Sequence, residues 1–484
     1  MTRLCADFFH SRLQSFFSSF RCLVIALLAG SAAQADSLRD IYELALKNDP
    51  VLRGAEATYQ ANLETEAQAR AQLLPQLNAE GSYGNSHRHQ DYEIVNVANE
   101  LRDTHQNTHL RSGNWNVELQ QPLFDLTAWF SFRSGKSVTE QARAQFAFDQ
   151  QNLIVRVAQA YFEVLRQADN VEAARAEEIA TEEQMNQAQE RFNAGLTGIA
   201  DAQQARAAYK TSLAQRITDE GNLASAQEAL TILTGATHGD LSILKTDFPV
   251  IHPAPADRAE WVQFALANNF ALKAAIAAMQ AADANATSKS MAHMPRITGS
   301  VSYQEDNVSG NQETSPPAPF ATGPDSEGDT TAAMLRVTVP IFSSGYTSSQ
   351  AKQAYAQYSA ALEKKIETER TIVHQTRAKH IATSTDVQRV QAQEEAIEAA
   401  RIALDATRAG YKAGTRSIVD VLVSQRALFE ARRDHANARY DYVMDMLNLK
   451  ALAGTLSPKD VDELDAWLVE SAKAKDMSQW QPSR

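Results

Sequence analysis

Four stretches of this chain alternate apolar and polar residues. In the first, Leu77, Ala79, Gly81 and Tyr83 interleave with Gln76, Asn78, Glu80 and Ser82. In the second, Trp115, Val117 and Leu119 interleave with Asn116, Glu118 and Gln120. In the third, Ile297, Gly299, Val301 and Tyr303 interleave with Arg296, Thr298, Ser300 and Ser302. In the fourth, Leu335, Val337 and Val339 interleave with Arg336 and Thr338. A period of two sends the two sets to opposite faces of a strand. The pattern predicts strands at about 75–84, 114–124, 295–304 and 333–342. Each pair brackets a polar stretch, His87 to Ser112 and Glu305 to Thr331, read here as loops. The second contains Ser315-Pro316-Pro317-Ala318-Pro319 and Gly323-Pro324-Asp325, a composition that does not pack.

Elsewhere the period is helical. Asp125 to Phe192 contains no proline, and only Gly135 interrupts it. At 1.5 Å per residue such a helix is on the order of 100 Å long. Ser343 to Tyr411 repeats it, and shorter helices are predicted at Gly198–Leu233 and Ser417–Leu452. Val155, Ala158, Phe162 and Leu165 recur at the spacing of one seam, and many seam residues are Ala. Long helices of this kind pack side by side as coiled coils.

The elements come in two rounds. Each reads helix, strand, polar loop, strand, very long helix, Gly turn, helix. Pro75 to Tyr83 answers to Pro295 to Tyr303, and Pro122-Leu123-Phe124 to Pro340-Ile341-Phe342. Phe192-Asn193-Ala194-Gly195 answers to Tyr411-Lys412-Ala413-Gly414, Asp201 to Asp420, and Ile41–Asn48 to Trp261–Asn268. The offset stays near 218 to 220 residues, so one unit is duplicated. The first repeat is placed at 36–245 and the second at 257–456. A linker at 246–256 carries Pro249, Pro253 and Pro255. A tail at 457–484 carries one helix, Pro458 to Ser471.

Residues 1–35 read as a signal peptide. Arg3, Arg12 and Arg21 precede the apolar run Cys22 to Gly30, and Ala33-Gln34-Ala35 gives a small-x-small cleavage pattern. Both cysteines, Cys5 and Cys22, fall inside it, so the mature chain has no disulfide or thiolate metal site. The chain carries −13, and residues 1–35 hold three Arg and one Asp, which leaves −15 for the remainder. That balance argues against nucleic acid as a partner and suits an anionic channel lumen.

After residue 35 no stretch approaches 18 apolar residues. A membrane span would therefore be a closed barrel. Alternating segments of about 10 residues are the mark of one. Four strands cannot close, and the smallest bacterial barrels need eight. Two copies would supply eight and three would supply twelve, so closure demands an oligomer.

Ser417-x-x-Asp420 fits a capping box opening a helix after a Gly turn, and Asp201 holds the matching place in the first repeat. Capping and pore lining are both open for these carboxylates. His87, His89, His105 and His109 are either exposed loop residues or metal ligands. Phe124, Trp129, Phe130 and Phe132 form either an aromatic girdle or a packing cluster. No P-loop, His-Glu-x-x-His or nucleophile elbow is present, which leaves an enzyme without a catalytic constellation. A periplasmic coiled-coil scaffold would explain the helices but not the four alternating strands.

Certain segments carry a family resemblance. They are Gly410-Tyr411-Lys412-Ala413-Gly414-Thr415-Arg416-Ser417-Ile418-Val419-Asp420-Val421-Leu422, Ala436 to Tyr442, Arg191 to Leu196, and Gln151 to Ile154 with Ala160-Tyr161-Phe162. Through them the chain resembles the TolC family of outer-membrane efflux and type I secretion channels over almost its whole mature length. The resemblance implies a mixed α and β membrane protein of Gram-negative bacteria, a homotrimer sharing a twelve-stranded barrel in outer-membrane lipid. The barrel would continue into a periplasmic helical barrel that closes at its far end. It implies a passive conduit with no cofactor, docked to a periplasmic adaptor (membrane fusion) protein and an inner-membrane ABC, RND or MFS transporter. The cargo is left open among polypeptide, drug and metal ion.

By the same resemblance Tyr411, Arg416 and Asp201 match gating residues, Arg439 and Gln184 a second constraint, and Asp420 the carboxylate ring of the constriction. The turns Ala194-Gly195-Leu196 and Ala413-Gly414-Thr415 match adaptor contacts. Two positions depart from the family pattern. A second acidic ring falls on Val423, and a threonine partner of the Arg falls on Ala200.

Overall fold

The structure, a computed structural model, describes residues 36–95, 99–315 and 325–469. The expected signal peptide, most of the proline-rich run after Ser315 and the end of the tail lie outside the described residues. In chain order the elements are α1 (Leu38–Asn48), α2 (Pro50–Ala71), β1 (Gln76–Val95), β2 (Leu101–Phe124), α3 (Leu126–Asn193) and α4 (Ile199–Thr234). There follow β3 (Ile243–Leu244), α5 (Arg258–Asn268), α6 (Phe270–Ser290), β4 (Arg296–Ser315) and β5 (Ser326–Thr338). The last are α7 (Tyr346–Lys412), α8 (Ile418–Leu452), α9 (Pro458–Asp465) and β6 (Leu468–Val469). No single described helix is long and apolar enough to cross a membrane. Two compact units form, and each draws on both halves of the sequence.

One unit comprises Glu56–Phe146 and Phe270–Arg370. Its sheet runs β1-β2-β4-β5, antiparallel throughout, so β1 and β5 are edges. The register explains the alternation. Leu77 faces Leu119, which faces Val301, which faces Ala333. Likewise Ala79 faces Val117, which faces Tyr303, and Ile297 faces Val337. Cross-strand partners share a face, so the apolar sets of all four strands form one band. The polar sets, including Glu80, Glu118 and Ser302, form the other face.

The predicted strand ends need correction. The ladders run on through the stretches read as polar loops, pairing His87 with His109, Asp91 with His105, and Asn307 with Glu327. Main-chain hydrogen bonds do not need an apolar face. Once both faces are wet the hydrophobic alternation fades while the ladder continues. In the other direction β5 stops at Thr338, short of 342. Pro340 has no N–H to extend the ladder.

Beside the sheet, small residues bring helices close. The Ser134 hydroxyl donates to the Ala281 carbonyl at 2.8 Å, and Ser288 to the Thr127 carbonyl at 2.9 Å. Tyr59 and Phe146 stack with ring centroids 5.0 Å apart.

The other unit holds residues 36–55, 147–269 and 371–469. A capping box of Ser37 and Asp40 opens α1, whose Leu38, Ile41 and Ala45 are buried. From α3 come Leu153, Val157, Tyr161 and Phe162, all nearly inaccessible. Tyr161 donates to the Ser242 carbonyl at 2.6 Å. The predicted linker lies against α8, where the Tyr442 hydroxyl donates to the Ile251 carbonyl at 2.8 Å. The tail helix ends at Asp465, not Ser471, because Leu468 and Val469 pair with β3.

Tyr440 donates to Asp169 at 2.6 Å. Burial pushes the Asp169 carboxyl up to about 6. A raised carboxyl stabilises the fold at low pH, and the gain is lost as pH rises through the folded value. Lowering the pH from 7 to 5 should therefore raise the thermal midpoint of the wild type relative to Asp169→Asn. Midpoints that move in parallel would show that Asp169 titrates normally.

Candidate functional site at the helix turns

Both long helical hairpins turn on the same backbone device. At the end of α3, Leu196 N–H donates to the Arg191 carbonyl at 2.8 Å and Gly195 N–H to Phe192 at 2.9 Å. At the end of α7, Thr415 N–H donates to Gly410 at 2.9 Å and Gly414 N–H to Tyr411 at 3.1 Å. These are Schellman motifs. Gly195 and Gly414 take φ of +73° and +76°, the left-handed region where a side chain is strained. Ala194, Leu196, Ala413 and Thr415 stand exposed around them.

The helices that leave the turns differ. Ser417 caps α8, its hydroxyl accepting from Asp420 N–H at 3.2 Å. In return the Asp420 carboxylate accepts from Ser417 N–H at 2.9 Å and from its hydroxyl at 3.0 Å. Those bonds, the backbone one foremost, hold the Asp420 carboxyl below the usual range. In the first repeat the cap is Gly198, with no side-chain bond. The carboxylate of Asp201, in the first turn of α4, has no hydrogen bond or ion pair among the described residues.

Around the second turn, Tyr411 packs against buried Leu404, Val421 and Leu428. The Arg191 guanidinium lies over its ring at 5.0 Å, a cation–π contact that sequence reasoning assigned no role. The signal available was position: Arg191 aligns with Gly410 in the duplication. The stem of Arg416 packs on Gly410, where an added methyl would lie 2.7 Å from Arg416 Cγ. Within the chain, no described hydrogen bond or ion pair joins Tyr411 or Arg416 to Asp201.

Arg439 and Gln184 are not brought together within the chain. Arg439 donates to the Lys245 carbonyl, and burial lowers its pKa. Its neighbour Tyr440 meets Asp169 on α3, whereas Gln184 lies fifteen residues further along that helix, about 22 Å away by helical rise. Gln184 is buried, with its carbonyl oxygen unpartnered among the described residues.

The four histidines stand on strands. His87 and His109 are cross-strand partners with Nδ1 atoms 2.9 Å apart. No described group of three ligating side chains is gathered to hold a metal. Phe124 and Trp129 are exposed, and the Trp129 ring also lies 6.0 Å from that of Phe132.

A four-stranded antiparallel sheet combined with two long helical hairpins defines a class, the outer-membrane efflux channels. The outer membrane protein VceC from Vibrio cholerae shares the fold with a TM-score of 0.70 at 20% identity, over 86% of this chain and 96% of that one. The outer membrane protein TolC of Vibrio cholerae serotype O1 is 33% identical, covering 92% of this chain and 96% of its own length. The alkaline protease secretion protein AprF of Pseudomonas aeruginosa is 29% identical over 90% and 88%. The family model for outer membrane efflux proteins matches residues 41–236 and 261–455, and the chain belongs to that family. It resides in the outer membrane with a periplasmic portion, and its family is one of transport proteins, not of enzymes.

Proposed function

We propose that three copies of this chain form one efflux or type I secretion channel, their sheets closing a twelve-stranded barrel. One observation carries the reading. The four strands present a shared apolar band and leave both edges of the sheet, β1 and β5, without a partner strand among the described residues. Lipid tolerates no open edge, so β5 of one copy pairs with β1 of the next. The channel is a passive conduit. A periplasmic adaptor contacts the turns at Ala194-Gly195-Leu196 and Ala413-Gly414-Thr415, and an inner-membrane transporter supplies the energy. Exposed Leu196, Ile199, Val419 and Val423 give those turns an apolar surface.

Tyr411, Arg416 and Asp201 form the gate, linking neighbouring hairpins when it is closed, and Asp420 lines the constriction beside it. The free carboxylate of Asp201 supports this role, since the Gly198 cap leaves it available to Arg416. Arg439 and Gln184 are assigned to a second constraint by family likeness alone. The unshared cap bonds of Asp420 leave its negative charge in place, so capping and pore lining coexist.

Mass measurement in detergent should give a trimer. A dimer would favour an eight-stranded barrel, and a stable monomer would refute sharing altogether. Planar-bilayer conductance of the purified protein tests the pore directly.

A further inference from the structure

Helices α5 and α7 border a solvent-open cavity of about 690 Å³, lined by Asp257, Arg258, Arg377, His380, Ser384 and Thr385 among others. The duplication gives this cavity an internal precedent. His380 stands 219 residues after Tyr161, and burial agrees around it. Leu153 and Ile372, Val157 and Thr376, and Val164 and Thr383 are buried in matching pairs. In the first half the position is closed by the chain itself. Tyr161 donates to the Ser242 carbonyl, and the adjacent Phe162 is 1% exposed. In the second half the matching residue to Phe162, Ile381, is 51% exposed. His380 is only 9% exposed, yet its Nε2 is buried with no hydrogen-bond partner.

The charges around this orphan nitrogen are lopsided. Arg258 and Arg377 make no ion pair among the described residues. Asp257 is the N-cap of α5 and accepts from Ala259 N–H at 2.8 Å, so its carboxylate is turned to the helix end. Two arginines against one aspartate make the lining net positive, in a chain that carries −13 overall. Tyr161 also meets the Asp36 carbonyl at 3.4 Å, and His380 likewise has the Ala256 carbonyl beside it. It is therefore the open cavity, the unpartnered Nε2 and the two unpaired guanidinium groups that point to a ligand, and the guanidinium groups favour an oxygen that carries negative charge.

We propose that the α5–α7 cavity binds an oxyanion, a carboxylate or a sulfate-like group, seated between Arg258 and Arg377 with His380 donating to one oxygen. Thr385 offers a hydroxyl donor to a remaining oxygen, while the Ser384 hydroxyl donates to the His380 carbonyl at 2.8 Å. The groups facing His380 are Asp257 and Arg258 from α5 and Arg377 from α7. Burial holds its imidazole below the usual histidine range, with Arg258 adding to that effect and the Ala256 carbonyl and Asp257 opposing it. A bound anion favours the protonated ring, so binding tightens as pH falls.

The test titrates the full chain in detergent with sodium sulfate, which does not itself titrate in this range, by calorimetry. Sodium chloride at matched ionic strength is the control, and sodium acetate the carboxylate arm. One sulfate per chain is expected, with affinity rising roughly tenfold from pH 7.5 to 5.5. Arg377→Gln should weaken it about tenfold or more. His380→Gln should bind with the pH dependence gone. His380→Tyr, which restores the residue of the first half, guards against misfolding: it should keep the elution volume and lose the pH dependence. Acetate binding without sulfate would restrict the site to carboxylates. Heats that chloride reproduces, affinity unchanged in Arg377→Gln, or sulfate binding that appears only after the subunits dissociate would each overturn the proposal.

Discussion

The Tyr411→Phe, Arg416→Ser double variant is expected to conduct several-fold more than wild type in planar bilayers, with its fold unchanged. Tyr411→Phe removes one hydroxyl and keeps the ring that packs on Leu404, Val421 and Leu428. The cation–π contact with Arg191 also survives, because it needs only the ring. Arg416→Ser removes a guanidinium whose intended partner, Asp201, is free of local cap bonds. Each lost link between chains costs about 1–3 kcal/mol where water is partly excluded. Three copies multiply the shift, so the closed state depends steeply on these residues. Asp420→Asn should act differently. It removes a charge from the constriction and should lower cation preference without opening the pore. Val423 already removes the second acidic ring implied by the family pattern, so the change should be modest. Wild-type conductance in the double variant would place the gate elsewhere, and unchanged cation preference in Asp420→Asn would leave Asp420 as a helix cap alone.

Arginine at Val117 or Val337 is expected to cost about 2–4 kcal/mol if the site lies near the bilayer midplane. Both residues belong to the apolar band, Val117 beside Ala79 and Tyr303, and Val337 beside Ile297. A guanidinium there must snorkel or thin the bilayer. Arginine at Glu118 or Thr338, one residue away on the polar face, should be tolerated, because the pleat sends neighbours to opposite sides. The measurement is urea unfolding of refolded protein in lipid vesicles. Equal losses on the two faces would mean that the band does not meet lipid.

How far the fold was legible follows from what each pattern encodes. The four strands were legible where one face is apolar and the other polar, and the register aligns Leu77, Leu119 and Val301 as that alternation requires. Their outer ends were not. From His87 to Asp91 and from His105 to His109 the ladder is held by main-chain bonds while the side chains are polar on both faces, so no periodicity marks it. The long helices were legible because no proline breaks them, and their ends fall at the Gly turns. At the site, the capping box was legible from Ser417 and Asp420 alone. The position of Arg191 over Tyr411 was not, since it depends on how two helices approach, which no local spacing encodes. The second constraint shows the reverse case: Arg439 and Gln184 were joined by family pattern, while the tie of Arg439 to the Lys245 carbonyl depends on how the segment after β3 packs against α8.

The difference between Gly198 and Ser417 has a consequence for stoichiometry. In the proposed trimer the rim carries six turns with one backbone shape, because both repeats end in the same Schellman motif. Its chemistry alternates. Three turns start a helix with a bare carboxylate, and three start one whose carboxylate is tied to a serine. A docking protein that reads shape meets a sixfold ring, and one that reads charge meets a threefold ring. The same rim can therefore be counted as six sites or as three, according to which of the two its partner recognises.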